Sequence, residues 1–201
     1  MHILLTDILT CPRCGPGFGL ILLADRAEER RVIEGVLGCS NCREKYPVRE
    51  GVADFGAPPD TILAAEDGAA AERLAAILGV THGPAFLLLA GPAAAHAGAL
   101  AAMIPDVEVV TLGAAASVDD GAGINRVYAA GPQLPIASGK VAGVALSGAA
   151  AEALLDEGAR TVSPVGRLVL DPAPADAAER LLRHGMRIVA QQETTAVAVR
   201  G

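Results

Sequence analysis

All four cysteines of this 201-residue chain fall in two C-x2-C pairs, Cys11-Pro12-Arg13-Cys14 and Cys39-Ser40-Asn41-Cys42. Each pair presents two thiols from one tight turn. Two such turns about two dozen residues apart can close a tetrahedral four-sulfur cage around Zn²⁺ at roughly 2.3 Å per bond. Between them, Leu20 to Leu23 and Val32 to Leu37 are strand-like runs flanking a charged turn, Asp25 to Arg31. That hairpin would carry the second knuckle back beside the first. Four thiolates fill the coordination shell and leave no open position, so the spacing predicts a structural zinc held by Cys11, Cys14, Cys39 and Cys42 rather than a catalytic one. The competing readings are two disulfides, four unrelated buried thiols or a redox pair. Redox C-x2-C motifs sit at strand-to-helix junctions, whereas these sit on turns.

Length then requires more than a ribbon. The remainder after about Phe55 is long enough for one ordinary domain, which predicts a zinc-ribbon domain over 1–55 and a second domain over 60–201. Residues 1 to 55 carry eight acids and seven bases, and the rest carries fifteen acids and nine bases. Neither part has the clustered Lys and Arg that neutralise phosphates, and aromatics make up only 2% of the chain, so direct nucleic-acid binding is disfavoured. No run approaches the roughly 20 apolar residues of a membrane helix. The segment from Met1 to Thr10 places Asp7 within its apolar stretch and has no basic lead, unlike a secretory leader. A soluble, cytoplasmic protein is expected.

Gly56-Ala57-Pro58-Pro59 reads as a linker, and Asp60 or Thr61 as the N-cap of a helix reaching Leu78, with Leu74, Ile77 and Leu78 on its core face. Beyond it, strands are expected over Ala85–Ala90, Val107–Leu112, Ile124–Ala129, Val141–Leu146 and Arg167–Asp171. Helices are expected over Ala93–Met103, Ala149–Thr161 and Ala175–His184. Met186–Gln191 and Thr195–Arg200 are separated by too few residues for a crossover helix and should pair antiparallel. This alternation implies a mainly parallel α/β sheet covered on both faces.

Two resemblances sharpen the picture. Asp7-Ile8-Leu9, Cys11-Pro12-x-Cys14, Gly35-Val36-Leu37-x-Cys39-x-x-Cys42 and Tyr46-Pro47-Val48-Arg49-x-Gly51-Val52 resemble the small zinc-ribbon family of methyltransferase activators, the activating subunit of tRNA, rRNA and release-factor methyltransferases in eukaryotes and archaea, with short bacterial relatives. Ala53-Asp54-Phe55 departs from the Pro and aliphatic residues more usual there, which leaves the outgoing strand open. The resemblance implies a ribbon that covers an apolar surface of a methyltransferase and adds a strand to its sheet, in cis or toward a separate enzyme. Ile8, Leu9, Val36 and Leu37 are the expected contact residues.

The second resemblance runs from about residue 61 to the end. Leu134-Pro135-Ile136-Ala137-Ser138-Gly139-Lys140-Val141-Ala142-Gly143-Val144-Ala145-Leu146 is similar to the stretch around the fourth strand of class I S-adenosylmethionine-dependent methyltransferases. Leu154-Leu155-Asp156-Glu157 through Ser163-Pro164-Val165-Gly166-Arg167-Leu168-Val169-Leu170 is similar to the following helix, turn and strand. The implied fold class is an α/β methyltransferase-type Rossmann sheet, mostly parallel with a terminal antiparallel hairpin, behind an N-terminal zinc ribbon.

The cofactor site that this family implies is depleted. Ala90, Pro92 and Ala94 stand where its glycines allow close backbone approach, and Pro92 also lacks a donor. Leu88 replaces an acidic residue within the strand, and Leu112 stands where a carboxylate would accept from the ribose hydroxyls. Each such charged-group hydrogen bond is worth about 1.5 to 3 kcal/mol, so S-adenosylmethionine binding is not expected. Other chemistries have less support. His2, His82, His96 and His184 show no metal spacing, and Ser138, Ser147 and Ser163 lack a nucleophile elbow. Asp119-Asp120 reads as a solvated pair, and Gly139-Lys140 lacks the spacing of a phosphate loop. The expected function is that of a noncatalytic interaction or methyltransferase-activator module whose partner is a methyltransferase or a second copy of itself. An active methyltransferase with an atypical cofactor loop and a nucleic-acid-binding ribbon are the alternatives.

Overall fold

The computed structural model of the protein describes residues 1–56, 68–113, 122–129, 131 and 133–201. Ala57-Pro58-Pro59 of the expected linker, the N-cap expected at Asp60 or Thr61, and Asp119-Asp120 lie outside the described residues.

Alternating large apolar residues build the first four strands, β1 (Leu20–Glu28), β2 (Arg31–Cys39), β3 (Lys45–Arg49) and β4 (Val52–Phe55), into an antiparallel meander. Leu20 faces Cys39 and Leu22 faces Leu37 on the inner side. The expected seven-residue charged turn narrows to Glu29-Arg30, both in left-handed backbone (φ 44° and 66°). Two such residues match the twist of a tight hairpin, so Asp25, Arg26 and Glu28 remain on β1 and face water, while Arg31 opens β2 and turns toward Glu108. Glu50 and Gly51 (φ 49° and 76°) turn the chain in the same way between β3 and β4. The outgoing strand that the family resemblance left open is thus formed, by Val52-Ala53-Asp54-Phe55.

The second part follows the expected alternation. Its strands are β5 (Ala85–Ala90), β6 (Val107–Leu112), β7 (Ile124–Ala129), β8 (Val141–Ser147), β9 (Val162–Asp171), β10 (Met186–Gln192) and β11 (Thr195–Arg200). Helices α1 (Gly68–Leu78) and α2 (Ala97–Met103) cover one face over Leu87, Leu89, Val107, Val109, Ala145 and Val169. Helices α3 (Ala149–Ala153), α4 (Leu155–Thr161) and α5 (Ala177–Arg183) lie on the other, burying Ala151, Leu155, Ala159 and Leu181. Three expectations are corrected. The helix over 149–161 breaks at Leu154, which leaves α-helical geometry and lets Leu155 turn inward. The helix expected from Ala93 begins as a 3₁₀ turn, Gly91–His96. The strand expected from Arg167 begins at Val162, with a bulge where it meets β8.

Ribbon and α/β layer share one sheet of eleven strands, in the order β1-β2-β3-β4-β7-β6-β5-β8-β9-β11-β10. The junction is a parallel pairing of β4 with β7, with Val52 beside Arg126 and Phe55 beside Ala129. At the far end β11 runs antiparallel between β9 and β10, as expected for the terminal hairpin. The chain before the first knuckle makes a second junction: Thr10 N–H donates to Pro135 O (2.9 Å), and Ala137 N–H donates to Ile8 O (2.8 Å). Ile8, Leu9 and Leu37 are buried in one core with Leu134 and Ile136. Val36 departs from the expected contact set. It lies on the opposite, outer face of β2, because one residue along a strand reverses the side-chain direction.

A polar knot closes the lower end of the seam. Glu108 accepts from Arg31 Nη2 (3.0 Å) and Asn125 Nδ2 (2.7 Å), and His2 Nε2 lies 3.8 Å from it. Burial holds the His2 imidazole below its ordinary pKa, with Arg31 acting in the same sense and Glu108 opposing. Among the described residues, no helix is long and apolar enough to cross a membrane. Replacing Glu108 by Ala removes the charge opposite Arg31 and the acceptor of the buried Asn125 amide, leaving Arg31 its bonds to Ile124 O and Asn125 Oδ1, so E108A should lower the unfolding free energy by about 2 kcal/mol in urea denaturation. A change within the noise of that measurement would mean that water replaces the knot at no cost.

Candidate functional site

The two knuckles converge at the upper end of the ribbon, the first on the loop before β1 and the second where β2 ends. The Sγ atoms of Cys11, Cys14, Cys39 and Cys42 all lie within 4.8 Å of one another, and no two are joined as a disulfide. Cys11 Sγ is 3.6 Å from Cys42 Sγ, and Cys39 Sγ is 3.8 Å from Cys14 Sγ. A tetrahedron with metal–sulfur bonds near 2.3 Å has sulfur edges of about 3.8 Å, so the cage fits a zinc-sized ion. All four cysteines singled out in the sequence are therefore positioned to bind a metal ion.

Residues that spacing did not single out support the cage. Tyr46 Oη lies 3.4 Å from Cys11 Sγ, and Asn41 Nδ2 donates to Cys14 Sγ (3.3 Å). Burial opposes the Cys11 thiolate, but hydrogen bonds from Tyr46 and from the Cys14 and Arg13 backbone outweigh it and bring the thiol to about 7. The Glu44 backbone favours the Cys42 thiolate, yet desolvation and the three adjacent sulfurs push that thiol to about 12. Four sulfurs this close share protons unless a cation replaces them. The Tyr46 ring also stacks at a tilt on Phe55 of β4 (centroids 4.9 Å apart), which links the cage to the junction strand. The signal for Tyr46 was its place on an alternating strand just after Cys42.

The second site to consider is the upper edge of the parallel strands, where open α/β sheets bind ligands in the crevice at which the strand order reverses. Here that point lies between β5 and β8. The chain leaving β5 folds down onto it. Gly91 takes left-handed backbone (φ 68°), and a Cβ there would overlap the Ser147 carbonyl oxygen. Pro92 lies against Gly148, whose own Cβ position is 3.2 Å from the proline ring. Ser147 Oγ accepts from Ala93 N–H (2.6 Å) and donates to Ala90 O (3.2 Å), so one backbone donor of this loop is used inside the protein. Leu88, Ala90, Ala94 and Leu112 are buried, and Pro92 is exposed.

The remaining sequence candidates are dispersed. His2 sits in the seam. His82 is exposed beside Thr81. His184 pairs with Asp156 at 2.9 Å between α4 and α5. His96 Nδ1 is buried without a hydrogen-bond partner. Ser138 accepts from Arg160, and the Gly139 and Lys140 N–H groups bond the carbonyls of Arg160 and Thr161 in an ordinary turn.

Residues 2–51 match the family model described as Trm112p-like protein. The ribbon is Trm112p-like. No curated protein matches the chain. Among solved structures, the cyclase SpnF is 13% identical with a TM-score of 0.52, over 70% of this chain and 66% of that one. A precorrin-6y C5,15-methyltransferase from Geobacter metallireducens GS-15 is 14% identical with a TM-score of 0.51, over 71% and 93%. A structure of the complex between the Haloferax volcanii Trm112 methyltransferase activator and the putative methyltransferase matches at 15% identity and a TM-score of 0.50, over 62% and 70%. This chain thus spans just under two thirds of the SpnF chain. At these identities the likeness is one of fold: a methyltransferase-type sheet fused behind a Trm112p-like ribbon.

Substituting Gly91 by Ala forces a Cβ into both a left-handed backbone and the Ser147 carbonyl. G91A should therefore cost about 2 to 3 kcal/mol in denaturant unfolding. An unchanged midpoint would show that the loop does not rest on β8.

Proposed function

We propose that this chain is a noncatalytic, methyltransferase-related interaction protein. Residues 1–55 form a zinc-loaded ribbon domain that acts as the built-in partner of an α/β domain, residues 60–201, whose cofactor site has been lost. The observation that carries this reading is the loop after β5, which turns its backbone toward Ser147 and Gly148. The Ala93 N–H and the space beside Gly91 are both taken by the protein itself, which leaves neither to a ligand. Leu112 adds to this. It is a buried apolar side chain at the end of β6, where the methyltransferase resemblance calls for a carboxylate.

In the Haloferax volcanii structure an activator and a putative methyltransferase form a complex. The corresponding association is internal here, with β4 laid along β7. Its docking edge is therefore occupied in cis, and the ribbon serves its own sheet before any separate enzyme. Cys11, Cys14, Cys39 and Cys42 would hold one Zn²⁺, which supplies no chemistry beyond tying the two knuckles together. Four thiols kept reduced fit a cytoplasmic location.

A second reading has one observation in its favour. The strand order β7-β6-β5-β8-β9-β11-β10 keeps the full methyltransferase-type arrangement, which suits an active S-adenosylmethionine-dependent enzyme with an atypical loop. Calorimetric titration of the zinc-loaded protein with S-adenosylmethionine separates the two. The proposed function requires no saturable heat at physiological ligand concentration. Binding in the low micromolar range, abolished by substituting a bulkier side chain at Ala94, would make the enzyme reading the correct one.

A further inference from the structure

β4 is consumed by β7, but the other side of the ribbon ends in β1, the terminal strand of the sheet. This edge is unusually apolar. Ile21 and Leu23 are 59% and 62% exposed and stand on the same outer face, where Leu23 lies beside Val36 of β2 and Val36 beside Pro47 of β3. Natural edge strands are protected by lysine, proline, bulges or a covering element. Residues Leu20–Ala24 of β1 contain no charge and no proline. Just before them Thr10 bridges Gly19 and Cys11 N–H donates to Phe18 O, and just after them come a bulge between Ala24 and Arg26 and the charges of Asp25, Arg26 and Glu28, so the open stretch is limited to these five residues. The opposite edge, β10, is guarded by its own bulge at Ile188/Ala190 and by Arg187, Gln191 and Gln192.

We infer that β1 pairs with β1 of a second copy of this chain, antiparallel about a two-fold axis at Leu22. In this register the five residues pair only with one another, whereas an axis at Ile21 would draw in Gly19, which already bridges Thr10 of its own chain. Ile21 faces the partner's Leu23 and Leu23 faces the partner's Ile21, Leu20 faces the partner's Ala24, and no like charges meet within the five residues. Moving the axis to Leu23 would set Ile21 against the partner's Asp25. The bulge after Ala24 stops the match at both ends, so the pairing is short and isologous, and the guarded β10 edge keeps it from propagating into a fibre. The two outer apolar rows become continuous across the axis. The proposal rests on the partnering part of the function proposed above and is independent of its cofactor part.

Sedimentation equilibrium of the zinc-loaded full chain tests it. The wild type should show a reversible monomer–dimer equilibrium. Ile21→Glu and Leu23→Arg should each weaken that equilibrium by about tenfold, while their combination should restore it, because each new carboxylate then faces a guanidinium of the partner. Leu182→Arg, at another exposed apolar side chain on α5, should leave it unchanged. Circular dichroism melts of each variant separate a lost interface from a lost fold. A wild type that stays monomeric to high micromolar concentration, single variants that dimerise like the wild type, or a double variant no better than the singles would overturn the pairing. The titration with S-adenosylmethionine is untouched by any of these results.

Discussion

The rest of the molecule depends on the parallel pairing of β4 with β7. A four-residue strand at the end of a small meander has little core of its own. Set beside β7, it gives the meander the inner face of a much larger sheet. Leu9, Leu37 and Phe55 are buried in the same cluster as Val110, Val127 and Ile136, so ribbon and α/β layer have one hydrophobic core between them. The four sulfurs sit at the top of that junction. Cys11 is buried in the shared core, and the contact from Tyr46 to Phe55 passes directly from cage to strand. Metal binding in small domains is folding free energy. An ion held by the four cysteines would support a fold that extends past the ribbon, into the edge of the α/β sheet.

The same economy is visible at the upper edge of the parallel strands. A methyltransferase-type sheet opens a crevice where its strand order reverses, and keeping it open requires loop residues that stay clear of it. In this chain Gly91 lets the backbone approach β8, and Ala90 and Ala94 beside it are buried.

Much of this was legible in the sequence. Ala85–Ala90, Val107–Leu112 and Ile124–Ala129 are short apolar runs bounded by Gly, Pro or Asp, and a strand buried on both faces leaves that trace. The cysteine spacing likewise pointed to one cluster, and the structure brings the four sulfurs together in positions that could bind a metal ion. The β4–β7 pairing was not legible from the residues, because two parallel strands some seventy residues apart share no local pattern. Only the resemblance to an activator family pointed to an added strand. The break at Leu154 was hidden because Ala149–Thr161 reads as one helix to any measure of propensity, and the reorientation of Leu155 into the core decides it. The contacts of Ser147 and the knot around Glu108 depend on side chains from distant segments, which no spacing rule can unite.

The most direct test of a metal-held ribbon sharing its sheet with the α/β layer is amide hydrogen exchange, measured strand by strand before and after removal of zinc with a chelator. If the two parts share one sheet and one core, Val52–Phe55, the β7 amides that face β4, and the backbone donors of Thr10 and Ala137 should lose protection together, while the β9–β11 pairing keeps its own. Loss of protection confined to residues 1–51, with β7 as slow as before, would show that the ribbon folds and unfolds by itself and would contradict the account.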